Sequence, residues 1–255
     1  MGSIAAEGCR LQAFHPPYEG FDSDVSPILE SREVAPGRAL IWWLQDGPAQ
    51  RAEYELLSVR PAGLPLIVLL PSADAIRRTL PLLSRVVDLF PRAILPAPYL
   101  GTPEYLRQVL ATPPRSLSDA VIRYLTRRGV LKSQSIDKEI RRIFELAPEV
   151  GSVTRLARRM YTSRRTIGRH FALNRLPVPS HWLQFARLLH VSIQLQNESG
   201  AAFRIATRAG YPDGFTMSNQ MKRMIGYRPT EIRNLLGWEW IVEAWLRREQ
   251  VVQTA

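Results

Sequence analysis

The feature that most constrains this chain is a pair of short, capped helix signatures flanking a longer helical run. They are TSRRTIGRHF (162–171) and GYPDGFTMSNQMKR (210–223), separated by a helical pattern from His181 to about Gln196. Residues 152–233 hold 14 Lys+Arg against 3 Asp+Glu (Glu198, Asp213, Glu231), a net +11 that equals the formal charge of the whole chain. A segment this basic, built from paired short helices, implies a polyanionic partner, with double-stranded DNA the expected one.

The rest of the charge is nearly balanced. Residues 1–129 carry 14 Lys+Arg and 13 Asp+Glu, whereas residues 130–255 carry 20 and 10. That asymmetry argues for two domains with different tasks. An apolar content of 45% with 22% charged residues excludes large-scale disorder. An anionic bilayer would also attract the basic half, but short capped helices fit a groove better than a membrane surface. The longest apolar runs, ALIWWL (39–44) and LIVLL (66–70), are too short to cross a bilayer. The N-terminus lacks a secretory pattern, and Ala6 leaves Met1-Gly2 short of a myristoylation motif, so a cytoplasmic location is expected. Cys9 is the single cysteine, which excludes an intrachain disulfide and a cysteine-based zinc site.

In the first half, apolar β-branched runs alternate with helical stretches. ALIWWLQ (39–45) and LPLIVLLP (64–71) read as strands buried on both faces, and RAILPAP (92–98) as a weaker third. A short strand near Arg10–Phe14 is a further candidate. Helices are expected over Ala49–Ser58, Ala73–Leu89, Thr102–Leu110 and Ser118–Arg128, with caps at Ser72 and Thr102. The alternation predicts a small parallel sheet covered by helices. A ligand would then lie after Gln45, Pro71 and Pro98, at the carboxyl ends of the strands. Receiver domains share this alternation and need an acceptor aspartate, an acidic pair and a lysine. Asp46 and Asp74 are available but no lysine precedes Lys132, so at most a degenerate receiver is expected. A sensory pocket and a dimerisation scaffold remain equal readings of this half.

The two signatures share a plan. In the first, Ser152–Met160 forms a helix with Val153, Leu156 and Ala157 inward, and Ser163 caps a second helix with Ile167 and Phe171 toward the core. Its opposite face carries Arg164, Arg165, Gly168 and Arg169, and arginine there can fork onto guanine or onto phosphate. In the second, Ala202–Arg208 precedes a turn, GYPD (210–213), and Asp213 caps a helix with Met217, Met221 and Met224 inward. Phe215, Thr216 and Asn219 are left outside, with Ser218 and Lys222 toward the edges. Asn219 suits adenine and Phe215 a thymine methyl, unless Phe215 is simply core.

The stretch LARRMYTSRRTIGRHF…HWLQFARLLH…IATRAGYPDGFTMSNQMKRMIGYRPTEIR resembles the DNA-binding domain of AraC/XylS-type transcriptional regulators, over roughly Ile136–Arg233. Its most specific part is the series Ile205-Ala206, Gly210-Tyr211, Asp213, Lys222-Arg223, Gly226 and Pro229. The resemblance implies two helix–turn–helix units joined by one long helix, with recognition helices entering successive major grooves. By position it assigns base contacts to Arg165, Gly168 and Arg169 in the first unit and to Phe215, Thr216 and Asn219 in the second. Phosphate contacts are expected from Ser163, Arg164, Ser218, Lys222 and Arg228. The chain departs from the usual pattern at Asn219, where arginine is common, at Phe215, where a polar residue is common, and at Arg175, where glycine usually closes the first unit. The first half does not read as the sugar-binding barrel of the best-known members.

The expected fold class is therefore α/β plus all-α. Residues 1–129 form an N-terminal α/β regulatory or dimerisation domain, 130–135 a linker, 136–236 the DNA-binding domain and 237–250 a C-terminal amphipathic helix. In that helix Trp238, Ile241, Val242, Trp245 and Leu246 make one apolar stripe, either packed on its own chain or serving as a homodimer surface. His15, His170, His181 and His190 show no metal-ligand spacing, and no phosphate-binding loop or nucleophile elbow occurs, so neither enzymatic chemistry nor a cofactor is expected. The function expected is a sequence-specific transcriptional regulator, its effector unidentified. The rival is a small-molecule-binding or enzymatic protein whose basic half docks an acidic protein.

Overall fold

The computed structural model describes residues 10–31, 36–44, 50–71, 83–96 and 101–251. They divide into two compact units: residues up to Thr112 together with Asn234–Trp240, and Pro113–Arg233 together with the chain from Ile241 onward. Cys9, Asp46, Ser72 and Asp74 lie outside the described residues, as do the start of the helix expected over Ala73–Leu89 and most of the segments expected to border a ligand.

The first unit is a four-stranded mixed sheet made of β1 (Leu11–Phe14), β2 (Ala39–Trp43), β3 (Leu66–Leu70) and β4 (Ala93–Pro96), in that order across the sheet. β2, β3 and β4 are parallel, as the alternation requires, while β1 adds an antiparallel edge with Leu11 opposite Trp42. The parallel sheet expected from the pattern is β2–β4, and the candidate strand near Arg10–Phe14 joins it as an antiparallel edge. Among the described residues, the connection between β1 and β2 holds a turn through His15–Tyr18 and the short helix α1 (Ser26–Leu29). The receiver-like expectation is not met. A receiver sheet reverses direction at its first strands, but these four follow chain order without reversal.

Period-two alternation splits the strand residues between two cores. Leu40, Trp42, Leu44, Leu66 and Val68 face one side, covered by α1 (Ser26–Leu29), α2 (Gln50–Ser58) and the helical residues 83–88 (α3) through Ile28, Leu57 and Val86. Crossovers between sequential parallel strands strongly favour one hand, which agrees with α2 and α3 packing on the same face. Ala39, Ile41, Ile67 and Leu69 face the other side, against Leu106 and Leu110 of α4 (Pro103–Ala111) and Leu236. β2 and β3 are buried on both faces, as expected of parallel strands in a covered sheet. Thr102 caps α4 by accepting from the Tyr105 amide at 3.3 Å.

The returning segment Asn234–Trp240 is tied into this unit by two long-range anchors. The Tyr18 hydroxyl donates to the Gly37 carbonyl (2.6 Å) and accepts from the Leu236 amide (2.8 Å), and burial holds its pKa well above the usual phenol value. A Cβ at Gly37 would stand 2.7 Å from that hydroxyl and 2.9 Å from the Leu235 Cα, so only glycine fits. Arg92 then pairs with Glu239 at 3.1 Å, both side chains being about nine-tenths buried.

The second unit is all helical: α5 (Leu117–Arg127), α6 (Gln134–Leu146), α7 (Val153–Arg159), α8 (Arg164–Leu173), α9 (Pro179–Asn197), α10 (Ala202–Arg208), α11 (Gly214–Ile225) and α12 (Pro229–Ile232). It is joined by residues from Ile241 on of α13 (Glu239–Arg248). α9 is the axis and touches α6, α7, α8, α10 and α12. Ile136, Ile140, Ile143 and Phe144 of α6 form the expected buried face. An unbroken run of rings, Phe144–Phe185–Trp245–Trp182–Phe171, links α6, α9, α13 and α8. The apolar stripe of the terminal helix is therefore buried on its own chain and does not offer a dimer surface.

Candidate nucleic-acid interface

Each signature folds into a short helix, a turn and a longer helix, and the two correspond position by position. α7 and α10 both span seven residues, with Leu156-Ala157 matched by Ile205-Ala206, all four buried. Both end in the same hydrogen-bonded cap. The Thr162 amide donates to the Ala157 carbonyl and the Tyr161 amide to that of Arg158, just as Tyr211 donates to Ala206 and Gly210 to Thr207. That geometry needs a left-handed residue after the helix. Tyr161 takes it with φ 53° and Gly210 with φ 77°. A single extra residue, Pro212, lengthens the second turn.

From there the second helices align one for one. Ser163 caps α8, its hydroxyl accepting from the Thr166 amide at 3.0 Å. Asp213 caps α11, its carboxylate accepting from the Thr216 amide at 2.6 Å, and that bond holds its pKa below the usual carboxylate range. Ile167 and Phe171 fill the inner face of α8 as Met217 and Met221 fill that of α11. Spacing of i, i+4 then puts Arg165 with Arg169, and Phe215 with Asn219, on the outer faces. All four are exposed, Phe215 at 76%, so the reading of Phe215 as core does not hold. Gly168 sits between its arginines with nothing within 4 Å of where a Cβ would lie.

Further bonds from outside hold each outer helix in place. Glu139 of α6 lies 2.6 Å from His170 Nδ1 in the last turn of α8. Gln220 of α11 donates to Gln184 of α9 at 3.2 Å. On α9, the Arg187 guanidinium donates to the Val150 carbonyl (2.7 Å) and His190 Nε2 meets the Phe144 carbonyl (3.1 Å). Arg233 donates to the Glu198 and Gly200 carbonyls, clamping the connection between α9 and α10. No sequence pattern announces these pairs, because their members stand 31 to 46 residues apart.

The basic surplus is therefore not uniform. Arg159 pairs with Glu149, Arg208 with Glu198, and the Lys222 ammonium donates to the Gly226 carbonyl at 2.8 Å. Arg164, Arg165 and Arg169 are exposed and pair with no acidic side chain among the described residues. Of the expected phosphate contacts, Ser163, Arg164, Lys222 and Arg228 are exposed and Ser218 is half-buried. Among the apolar residues of α10, Ile205 and Ala206 are buried whereas Phe203 is 58% exposed. Among the described residues, no cluster of three metal-ligating side chains occurs, and no helix is long and apolar enough to cross a membrane.

Two short-helix–turn–helix units with outward basic and polar faces on a shared long helix define a DNA-binding architecture. A family model described as a helix-turn-helix domain matches residues 156–235. That stretch is an AraC/XylS-type DNA-binding domain, and it supports a role in DNA-binding transcription regulation. No curated protein matches the chain.

Proposed function

We propose that α8 and α11 are both recognition helices, entering successive major grooves on one face of double-stranded DNA about one helical turn apart. The observation that carries this reading is the residue-by-residue match of the two units, from Ala157 with Ala206 through Ser163 with Asp213 to Arg169 with Asn219. Base contacts come from Arg165, Gly168 and Arg169 on the first helix and from Phe215, Thr216 and Asn219 on the second. Ser163, Arg164, Ser218, Lys222 and Arg228 hold the phosphates and supply affinity that falls steeply with salt. The first unit serves as the regulatory or dimerisation half of the molecule.

The test is chemical protection of guanines and thymines by the full-length protein on a duplex selected from a random library. Two protected major-groove segments centred about 10 base pairs apart are expected. Arg169→Ala should lose about 1–3 kcal/mol on the selected site and relax discrimination at one base pair. A single protected segment would reduce α11 to a structural helix.

A further inference from the structure

We infer that the two recognition helices read base pairs of opposite kind: α8 reads G·C pairs and α11 reads A·T pairs through Phe215 and Asn219. The inference rests on the two-helix reading above and deepens it. Its basis is what occupies the matched outer positions. Where α8 presents Arg165 and Arg169, α11 presents Phe215 and Asn219, each pair one turn apart beside a cap-bonded threonine.

The chemistry of these side chains restricts what they can recognise. A guanidinium is a planar donor fork without an acceptor, and the base edge that offers two acceptors side by side is guanine O6 and N7. A carboxamide carries one donor and one acceptor, which matches adenine N6–H and N7. A phenyl ring neither donates nor accepts, and the apolar group in the major groove is the thymine methyl. Asn219 on adenine and Phe215 on a thymine methyl therefore demand the same type of base pair. Met217, Met221 and Met224 already fill the inner face of α11, which leaves Phe215 on the outside.

Electrostatics separates the helices in the same direction. α8 carries Arg164, Arg165 and Arg169 along its exposed side. The cations of α11, Lys222 and Arg223, lie in its last turn, the first donating to Gly226 and the second 3.5 Å from the Gln184 side chain. The start of α11 thus carries no cation, only the capping Asp213 carboxylate, so discrimination there comes from shape and methyl contact.

Selection of bound duplexes from a random library by the full-length protein, repeated with Arg169→Ala and with Asn219→Ala, tests this. Each variant identifies its own half-site by the half whose consensus degrades. G·C pairs are expected in the half lost with Arg169→Ala and A·T pairs in the half lost with Asn219→Ala. Replacing the thymines of the α11 half by deoxyuridine should weaken wild-type binding about fourfold for each contacted methyl. Phe215→Ser, at an exposed position, should bind thymine and deoxyuridine duplexes alike. A G·C consensus in the α11 half, or indifference of the wild type to deoxyuridine, overturns the inference while leaving two-helix binding intact. Loss of one half-site only, with no second half found, overturns the two-helix reading and the inference with it.

Discussion

Trp245 lies flat on Phe185, ring centroids 4.1 Å apart and planes within 4° of parallel, although sixty residues separate them. The same indole meets Trp182 edge-on at 4.6 Å. One side chain from the terminal helix thus closes the core beneath α9, the helix that both helix–turn–helix units share. Trp245→Ala should destabilise the helical unit by about 3–5 kcal/mol, the range for truncating a fully buried large aromatic. Urea denaturation followed by circular dichroism measures it, and a loss below about 1 kcal/mol would mean that the ring stack is not part of the core.

Glu243 is fully buried on the same helix and is held by three donors. Tyr124 donates to it at 2.9 Å, and the Arg128 guanidinium approaches with Nε at 3.1 Å and a terminal nitrogen at 2.9 Å. Burial, reinforced by the facing carboxylate, holds the Tyr124 hydroxyl protonated well above the usual phenol range. Tyr124→Phe should cost about 1.5–3 kcal/mol, the contribution of a hydrogen bond to a charged acceptor. Equal denaturation midpoints for the two proteins would show that Arg128, with Arg247 3.5 Å away, satisfies the carboxylate without the hydroxyl.

Arg175 ends α8 in the left-handed region with φ 55°, in the same cap that Gly210 closes after α10. A non-glycine residue there costs on the order of 1–2 kcal/mol, offset in part by the freedom glycine has when unfolded. Arg175→Gly should therefore raise stability by about 0.5–1 kcal/mol. A lower melting temperature in the variant would mean that the arginine side chain makes a compensating contact.

His190 gives the helical unit an acid limit. Burial pushes its pKa below the ordinary 6.5, although the bond to the Phe144 carbonyl opposes the shift. The folded state then binds fewer protons than the unfolded one, so its stability is complete above pH 6.5 and declines as pH falls toward the folded pKa. Urea midpoints at pH 8 and pH 5.5 should fall less for His190→Gln than for the wild type. Identical losses would assign the acid sensitivity to other groups.

Much of this architecture was legible in the residues because it is written in local pattern. Alternating Leu40, Trp42 and Val68 against Ala39, Ile41 and Leu69 marks strands with two covered faces. Ser163 and Asp213 mark helix starts because a side-chain acceptor three residues before a free amide is a local bond. The spacing of Ile167 with Phe171 and of Met217 with Met221 orients both outer helices, and so exposes Arg165, Arg169, Phe215 and Asn219.

What the pattern did not carry are the choices made between distant segments. The antiparallel edge of β1 depends on pairing Leu11 with Trp42, and no period-two signal specifies strand direction. The stripe on α13 could equally have faced a second copy, since amphipathicity records that a surface is buried and not by what. Tertiary packing decided both, placing Trp245 on Phe185 and Glu239 on Arg92. The sequence alone determined two capped helix pairs and the side chains they turn outward, because those are set by bonds within a turn or two. Only the folded chain decided what holds them, because ring stacking and buried ion pairs require partners that the backbone brings together from far apart.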